Sequence, residues 1–348
     1  MGVTIKDIAK RLGVSATAVS KALNDRDDVS NELKVKVRKI AEEMDYSPNS
    51  LAKRLVTNKS NTIGVFMFSR QKNSGHDPFG FQFLSGIMEE ANRNGYDIVL
   101  FSTDSDLLAE KSYIKLCKER KVEGAIFTGL RLDDPHLEEI KESPFPISII
   151  DTEVKGNNVS FISTDNRKGV RLALNYLWKL GHRRIAIING HKKAMVSHLR
   201  YNAYKEFLEE KGQFREELVF TGDFTERSGY LCGGKILELK DRPSAVFVAS
   251  DLMALGVIKK FKEEGLKLPE EMSIVGFDNI FPGEFNEPAL TTIGQNAFEM
   301  GVEAVNWVLK RINGEKGNKK ILLEPELIIR DSCDTNQFQW LERVTAKS

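Results

Sequence analysis

Residues 4–24 read TIKDIAKRLGVSATAVSKALN. Ile5, Ile8, Ala9 and Leu12 recur at i, i+3, i+4 and i+7, which draws one apolar stripe along a helix. Thr4 followed by Asp7 supplies an N-terminal cap, and Gly13 stands where the chain leaves the helix through a left-handed residue. Ser15 then caps a second short helix carrying Val19 and Leu23. A third stripe, Leu33, Val37, Ile40, Ala41 and Met44, begins after Ser30 and is long enough to close a three-helix core. Helix, tight turn, helix at this spacing is a motif whose second helix enters the major groove of DNA. Its outward candidates are Ala16, Thr17, Ser20 and Lys21: a lysine for guanine O6/N7 or a phosphate, a threonine for a base edge, an alanine for apolar contact only. A small helical bundle serving a partner protein has the same pattern and stays open at this point.

Residues 45–60, DYSPNSLAKRLVTNKS, come next. Pro48 suits the first turn of a helix after Ser47, and SLAKRL makes little more than two turns, too short to be stable alone in water. Lys53 and Arg54 suit phosphates, while Leu51 and Leu55 give an apolar edge for a twin helix or a minor-groove wedge. An ordinary basic linker is the competing reading. Residues 1–60 hold 12 Lys/Arg against 8 Asp/Glu, whereas the 348 residues together hold 51 against 50. The basic excess sits at this end, where a polyanion partner is to be sought, and a histone-like global charge is excluded.

After Ser60 short apolar runs alternate with helical stretches. The first series is TIGVFMF, YDIVLF, GAIFTG and PISIID; the second is RRIAIING, LVFTGD, SAVFVASD and MSIVGFD. Such alternation predicts parallel sheets covered on both faces, in two lobes, with a ligand at the carboxyl ends of the strands. Catalytic constellations are missing. Gly229 to Lys235 fits G-x-x-x-x-G-K, but Ile236 occupies the Ser/Thr place and the motif lies inside a helical stretch. The five histidines form no H-E-x-x-H and no i, i+4 pair, and Cys117, Cys232 and Cys333 form no C-x-x-C pair. We therefore expect no metal, no cofactor and no catalytic residue. Charges at the N-terminus and the lack of a 20-residue apolar run argue for a cytoplasmic protein without a membrane segment.

VTIKDIAKRLGVSATAVSKALN followed by EEMDYSPNSLAKRL resembles the N-terminal region of the lactose-repressor (LacI/GalR) family of bacterial transcription regulators. HDPFGFQFLSGIMEEANRNGYDIVL, STDNRKGVRLALNYLWKLGHRRIAII, GDFTERSGY, PSAVFVASDLMALGVIKKFKEEGLKLPEEMSIVGFDN and EPALTTIGQ are similar to successive segments of that family's effector domain. The resemblance implies an all-α helix-turn-helix head plus an α/β two-lobe effector domain of the type I periplasmic-binding-protein kind. Its implied divisions are a head at 1–46, a hinge at 47–59, one lobe at 60–162 with 293–324, and the other at 163–292 with 325–340.

For function the resemblance implies a homodimeric DNA-binding regulator, a repressor on a pseudo-palindromic operator, controlled by a small-molecule effector. DNA contacts fall to Thr4, Ala16, Thr17, Ser20, Lys21, Asn49, Lys53, Arg54 and the wedge Leu55. The effector cleft would be lined by Asp77, Phe79, Asp151, Arg200, Phe224, Ser250, Asp251, Asp278 and Gln295, carboxylates and an arginine fork suited to a polyhydroxylated ligand. Phe79 as a core residue and Asp251 as a helix cap remain alternatives. Purine-binding members carry an arginine where this chain has Ala194, so a sugar or sugar phosphate is the expected effector. The tail after Arg330 has no leucine heptads, which fits a dimer lacking a tetramerising helix. Two rivals differ in class: a regulator answering a phosphorylated protein, and a sugar- or nucleotide-processing enzyme with a DNA-binding head.

Overall fold

The computed structural model describes residues 3–46, 59–67, 78–102, 111–317 and 319–334. The chain divides into two units, Met1–Ser60 and Asn61–Ser348.

The first unit holds α1 (Ile5–Leu12), α2 (Ala16–Leu23) and α3 (Asn31–Glu43). The caps are those the sequence calls for. The Thr4 N–H and hydroxyl both donate to Asp7 Oδ2, at 2.8 and 2.6 Å, and Gly13 leaves α1 at φ 68°. Ser15 and Ser30 accept from the backbone N–H groups of Ala18 and Leu33 at the starts of α2 and α3. Ile8, Val19, Ala22 and Val37 are fully buried between the three helices.

In the second unit the elements run β1 (Thr62–Met67), α4 (Pro78–Arg93), β2 (Asp97–Ser102), α5 (Tyr113–Glu119), β3 (Gly124–Thr128), α6 (Leu137–Lys141), β4 (Ile147–Ile150) and β5 (Val159–Thr164). They continue as α7 (Asn166–Lys179), β6 (Ile185–Asn189), α8 (Met195–Glu210), β7 (Val219–Thr221), α9 (Glu226–Leu237), β8 (Ala245–Val248), α10 (Asp251–Glu263) and β9 (Ser273–Asp278). The last are α11 (Phe281–Glu284), β10 (Thr291–Gly294), α12 (Ala297–Ile312), β11 (Lys320–Leu323) and β12 (Glu326–Ile328). One sheet has the order β2-β1-β3-β4-β5-β11 and is parallel throughout; the other has the order β7-β6-β8-β9-β10-β12, with β12 antiparallel. Every residue of β3, β4 and β8 is buried, because helices cover both faces of each sheet. No helix among the described residues is long and apolar enough to cross a membrane.

The chain passes between the sheets after β5, after β10 and after β11. Expected boundaries at 162 and 292 thus fall inside β5 and β10. VSFIST and LTTIG interleave hydroxyl residues with apolar ones. In the fold Ser160 Oγ pairs with Ser148 Oγ at 2.8 Å, and Ser148 also donates to the Ala304 carbonyl. Satisfied hydroxyls of this kind sit in a sheet interior without an unpaired-group penalty.

Glycines bring helices to backbone contact in each lobe. A Cβ on Gly229 would lie 2.0 Å from the Met253 carbonyl oxygen, and one on Gly256 would lie 2.0 Å from that of Glu226, so α9 and α10 cross without side chains between them. Gly86 and Gly301 do the same for α4 and α12, against Phe298 and Phe83. Gly229 of the G-x-x-x-x-G-K match thus serves helix packing, and the whole match lies inside α9 instead of in a loop that opens a helix.

Candidate functional site

On the three-helix unit Thr17 and Lys21 are exposed, while Ala16 and Ser20 are half-buried. Lys21 Nζ donates to Asp28 Oδ2 at 2.5 Å, and that bond holds the Asp28 carboxyl below its usual range. Lys21 must leave Asp28, or share it, to meet a base edge. Exposed Thr4 sits at the head of α1, where its bonds lower the Asp7 carboxyl. Asn49, Lys53, Arg54 and Leu55 lie outside the described residues, as does Asp77.

The second unit gathers polar side chains at the carboxyl ends of its strands. Arg200, on α8, is 2% exposed. Its Nε donates to Asn166 Oδ1 at 2.7 Å and its Nη1 to the Ala249 carbonyl at 2.5 Å. The guanidinium lies 3.8 Å from the centroid of the Phe277 ring, with Nη1 3.9 Å from Asp278 Oδ1. Burial pulls its pKa down, against the attraction of Asp278, Asp151 and Asp251. Gln295 Nε2 donates to Asp278 Oδ1 at 2.7 Å, and Ser163 Oγ donates to Asp151 Oδ1 at 2.6 Å. Burial raises the Asp151 carboxyl, opposed by Ser163 and Arg200.

Four residues here hold left-handed backbone without being glycine: Asp151 (φ 66°), Phe224 (φ 69°), Asp278 (φ 126°) and Asn279 (φ 56°). Such conformations cost on the order of 1–3 kcal/mol each and persist where the surroundings over-determine them, commonly at ligand sites. The Phe224 ring covers Gly190 at the end of β6 so closely that a Cβ on Gly190 would lie 1.9 Å from it. The lobes touch at the rim: the Leu132 N–H donates to the Lys193 carbonyl at 2.9 Å, and Lys193 Nζ pairs with Asp133 at 2.6 Å.

Arg200, Asp278, Gln295 and Asp151 are thus brought together, and Phe224 lies over the end of β6. Phe79, half-buried in the first turn of α4, packs edge-on against Phe83 with ring centroids 4.8 Å apart, and one expected residue is placed elsewhere. Asp251 is fully buried with both oxygens taken inside the lobe, Oδ1 by Thr292 and Oδ2 by the Ile280 N–H. Ser250, 3% exposed, caps α10 by accepting from the Met253 N–H. Sequence reasoning missed Asn166, Asn189, Ser163 and Ser197. Among the described residues, the buried Gln295 Oε1, Asn189 Oδ1 and Ser197 Oγ have no hydrogen-bond partner. Buried polar atoms of this kind normally have one. The available signal was a polar residue closing an apolar strand, as Asn189 closes RRIAIIN.

Residues 4–49 match the sequence profile of bacterial regulatory proteins of the lacI family, and residues 174–333 match that of the periplasmic binding protein-like domain. The HTH-type transcriptional repressor PurR of Histophilus somni (strain 129Pt) is 32% identical over 336 residues, covering 95% of this chain and 99% of the relative. The chain belongs to the lacI family. The lac repressor dimer bound to operator and the anti-inducer ONPF superposes with a TM-score of 0.82 at 28% identity, over 95% of this chain and 99% of that one. A transcriptional regulator CelR–cellobiose complex gives 0.73 at 27% identity, again over 95% and 99%. This lacI-family chain is a DNA-binding transcription regulator, with a helix-turn-helix head and a two-sheet α/β body. In it Asn189, Asp151, Asp278 and Gln295 fall at strand ends, where open α/β sheets take ligands.

Proposed function

We propose that the chain is a cytoplasmic homodimeric repressor on a pseudo-palindromic operator, whose effector is a carbohydrate bound around Arg200 and Asp278. One observation carries the effector reading. Gln295 Oε1 is a buried acceptor without a donor, on a side chain whose Nε2 bonds Asp278 beside Arg200, and Asn189 Oδ1 is a second such acceptor at the end of β6. A sugar hydroxyl supplies what is missing, because it donates to an amide oxygen and accepts from a guanidinium at once. The cellobiose in the CelR complex is a ligand of that chemistry. The relative named PurR pulls toward a different effector, but Ala194 leaves the start of α8 without the second cation that the purine-binding pattern calls for. Lobe arrangements that differ in affinity for sugar and for operator then couple the two sites. No turnover belongs to this reading, which is of a binding protein and not an enzyme.

The test is a thermal-shift screen of mono- and disaccharides, sugar phosphates and nucleobases, repeated on Arg200→Met. A sugar that raises Tm in the wild type and not in the variant is the expected result. A nucleobase hit, or a sugar hit untouched by Arg200→Met, would overturn it.

A further inference from the structure

Asp251 is fully buried against β9, β10 and the turn that follows β9. Ser250 already caps α10, so the Asp251 carboxylate is not needed at the helix start. Oδ1 accepts the Thr292 hydroxyl of β10 at 2.6 Å, and Oδ2 accepts the Ile280 N–H in the turn after β9 at 3.0 Å. The sheet makes room for it: a Cβ on Gly276 of β9 would lie 2.1 Å from Oδ1. The residues just before Ile280 are Asp278 and Asn279, both left-handed. Arg330 Nη2 holds the Asn279 side chain from a second direction at 2.9 Å.

We propose that Asp251 is the positioning residue for Asp278: its carboxylate pins the 278–280 turn in the left-handed conformation that presents Asp278 to Arg200 and Gln295. The inference rests on reading the Arg200–Asp278 cluster as the effector site. Burial pushes the Asp251 carboxyl up to about 6, against the bonds from Thr292, Ile280 and Asn279 that pull it down. A carboxylate this unfavourably placed is retained for the two bonds it accepts, which one neutral side chain cannot reproduce with both partners donating.

The test uses the full chain with Asp251→Asn, Gly276→Ala, Asp278→Asn and the double variant Asp251→Asn/Asp278→Asn. Hydrogen–deuterium exchange reads the pin directly. Exchange over 276–285 is expected to rise about tenfold in Asp251→Asn and in Gly276→Ala, with α7 and α12 unchanged. Titration with cellobiose and ribose reads the consequence. Asp251→Asn is expected to weaken whichever sugar binds about tenfold and to add almost nothing on top of Asp278→Asn, the mark of one residue acting through the other. Unchanged exchange over 276–285 in both single variants, or additive losses in the double variant, would overturn the proposal. If neither sugar binds the wild type, the carbohydrate reading loses its support, and the exchange result alone decides the pin.

Discussion

Arg200→Met keeps a stem of similar length under Phe277 and removes only the guanidinium. Two charged hydrogen bonds disappear, to Asn166 Oδ1 and the Ala249 carbonyl, and Asp278 and Asp151 lose their buried counter-charge. Hydrogen bonds to a charged group contribute roughly 1.5–3 kcal/mol each. The relief of no longer burying the guanidinium offsets part of that. Removing one member of a buried charged set costs about 3–5 kcal/mol in total, because the partners are left uncompensated. For a body of this size the loss corresponds to a fall in Tm of about 10 °C. The assay is urea unfolding of both proteins with m checked for constancy, since a changed m would report a different unfolding reaction. Repeating it at acid pH adds a control. Burial already favours the protonated Asp151 carboxyl, which needs no counter-charge, so the gap between the two proteins must narrow as pH falls. A loss below about 1 kcal/mol, at the level of an exposed ion pair, would refute the view of Arg200 as the keystone of the cluster.

Gly229→Ala drives a methyl into the Met253 carbonyl and is expected to destabilise by about 1–3 kcal/mol or more in urea unfolding, with no loss of operator affinity at temperatures where the fold persists. Lys21→Ala is expected to weaken binding to a selected operator by roughly 1–3 kcal/mol and to relax preference at one base pair, read by competition on variant duplexes. Asp28→Asn, which frees Lys21, should strengthen binding to random duplex, and an unchanged affinity would show that the ion pair does not compete with DNA. Asp251 has a pH signature. Its folded pKa of about 6 exceeds the unfolded carboxylate value, so the folded state holds the extra proton and the group's contribution is lost as pH rises through about 6. Whatever its offset, the stability of Asp251→Asn measured against wild type should therefore rise as pH goes from about 4 to 7. A flat difference would contradict the buried placement.

The legible parts of the fold are those governed by neighbours in sequence. Thr4 with Asp7, Ser15 and Ser30 are caps whose partners lie three residues away, so the three-helix unit could be read from spacing. The parallel strands were visible as continuous apolar runs because both of their faces are buried. The hidden parts depend on distant partners. β5 and β10 contain serines and threonines that only a facing strand or helix satisfies. Asp251 follows an apolar strand as Asp278 ends one, yet one turns inward, because Gly276 leaves space for it across the sheet, and the other faces Arg200. Asn166 bonds Arg200 across 34 positions, and no local pattern marks such a residue.

One chain that reads DNA and answers a carbohydrate must couple its two sites. The most direct test of that coupling is fluorescence anisotropy of a selected operator duplex titrated with the full chain, with and without a saturating sugar from the screen. Operator affinity is expected to change by about 5- to 150-fold, matched by an equal change in sugar affinity when operator is present. A sugar that binds at Arg200 while leaving operator affinity unchanged would contradict the coupling.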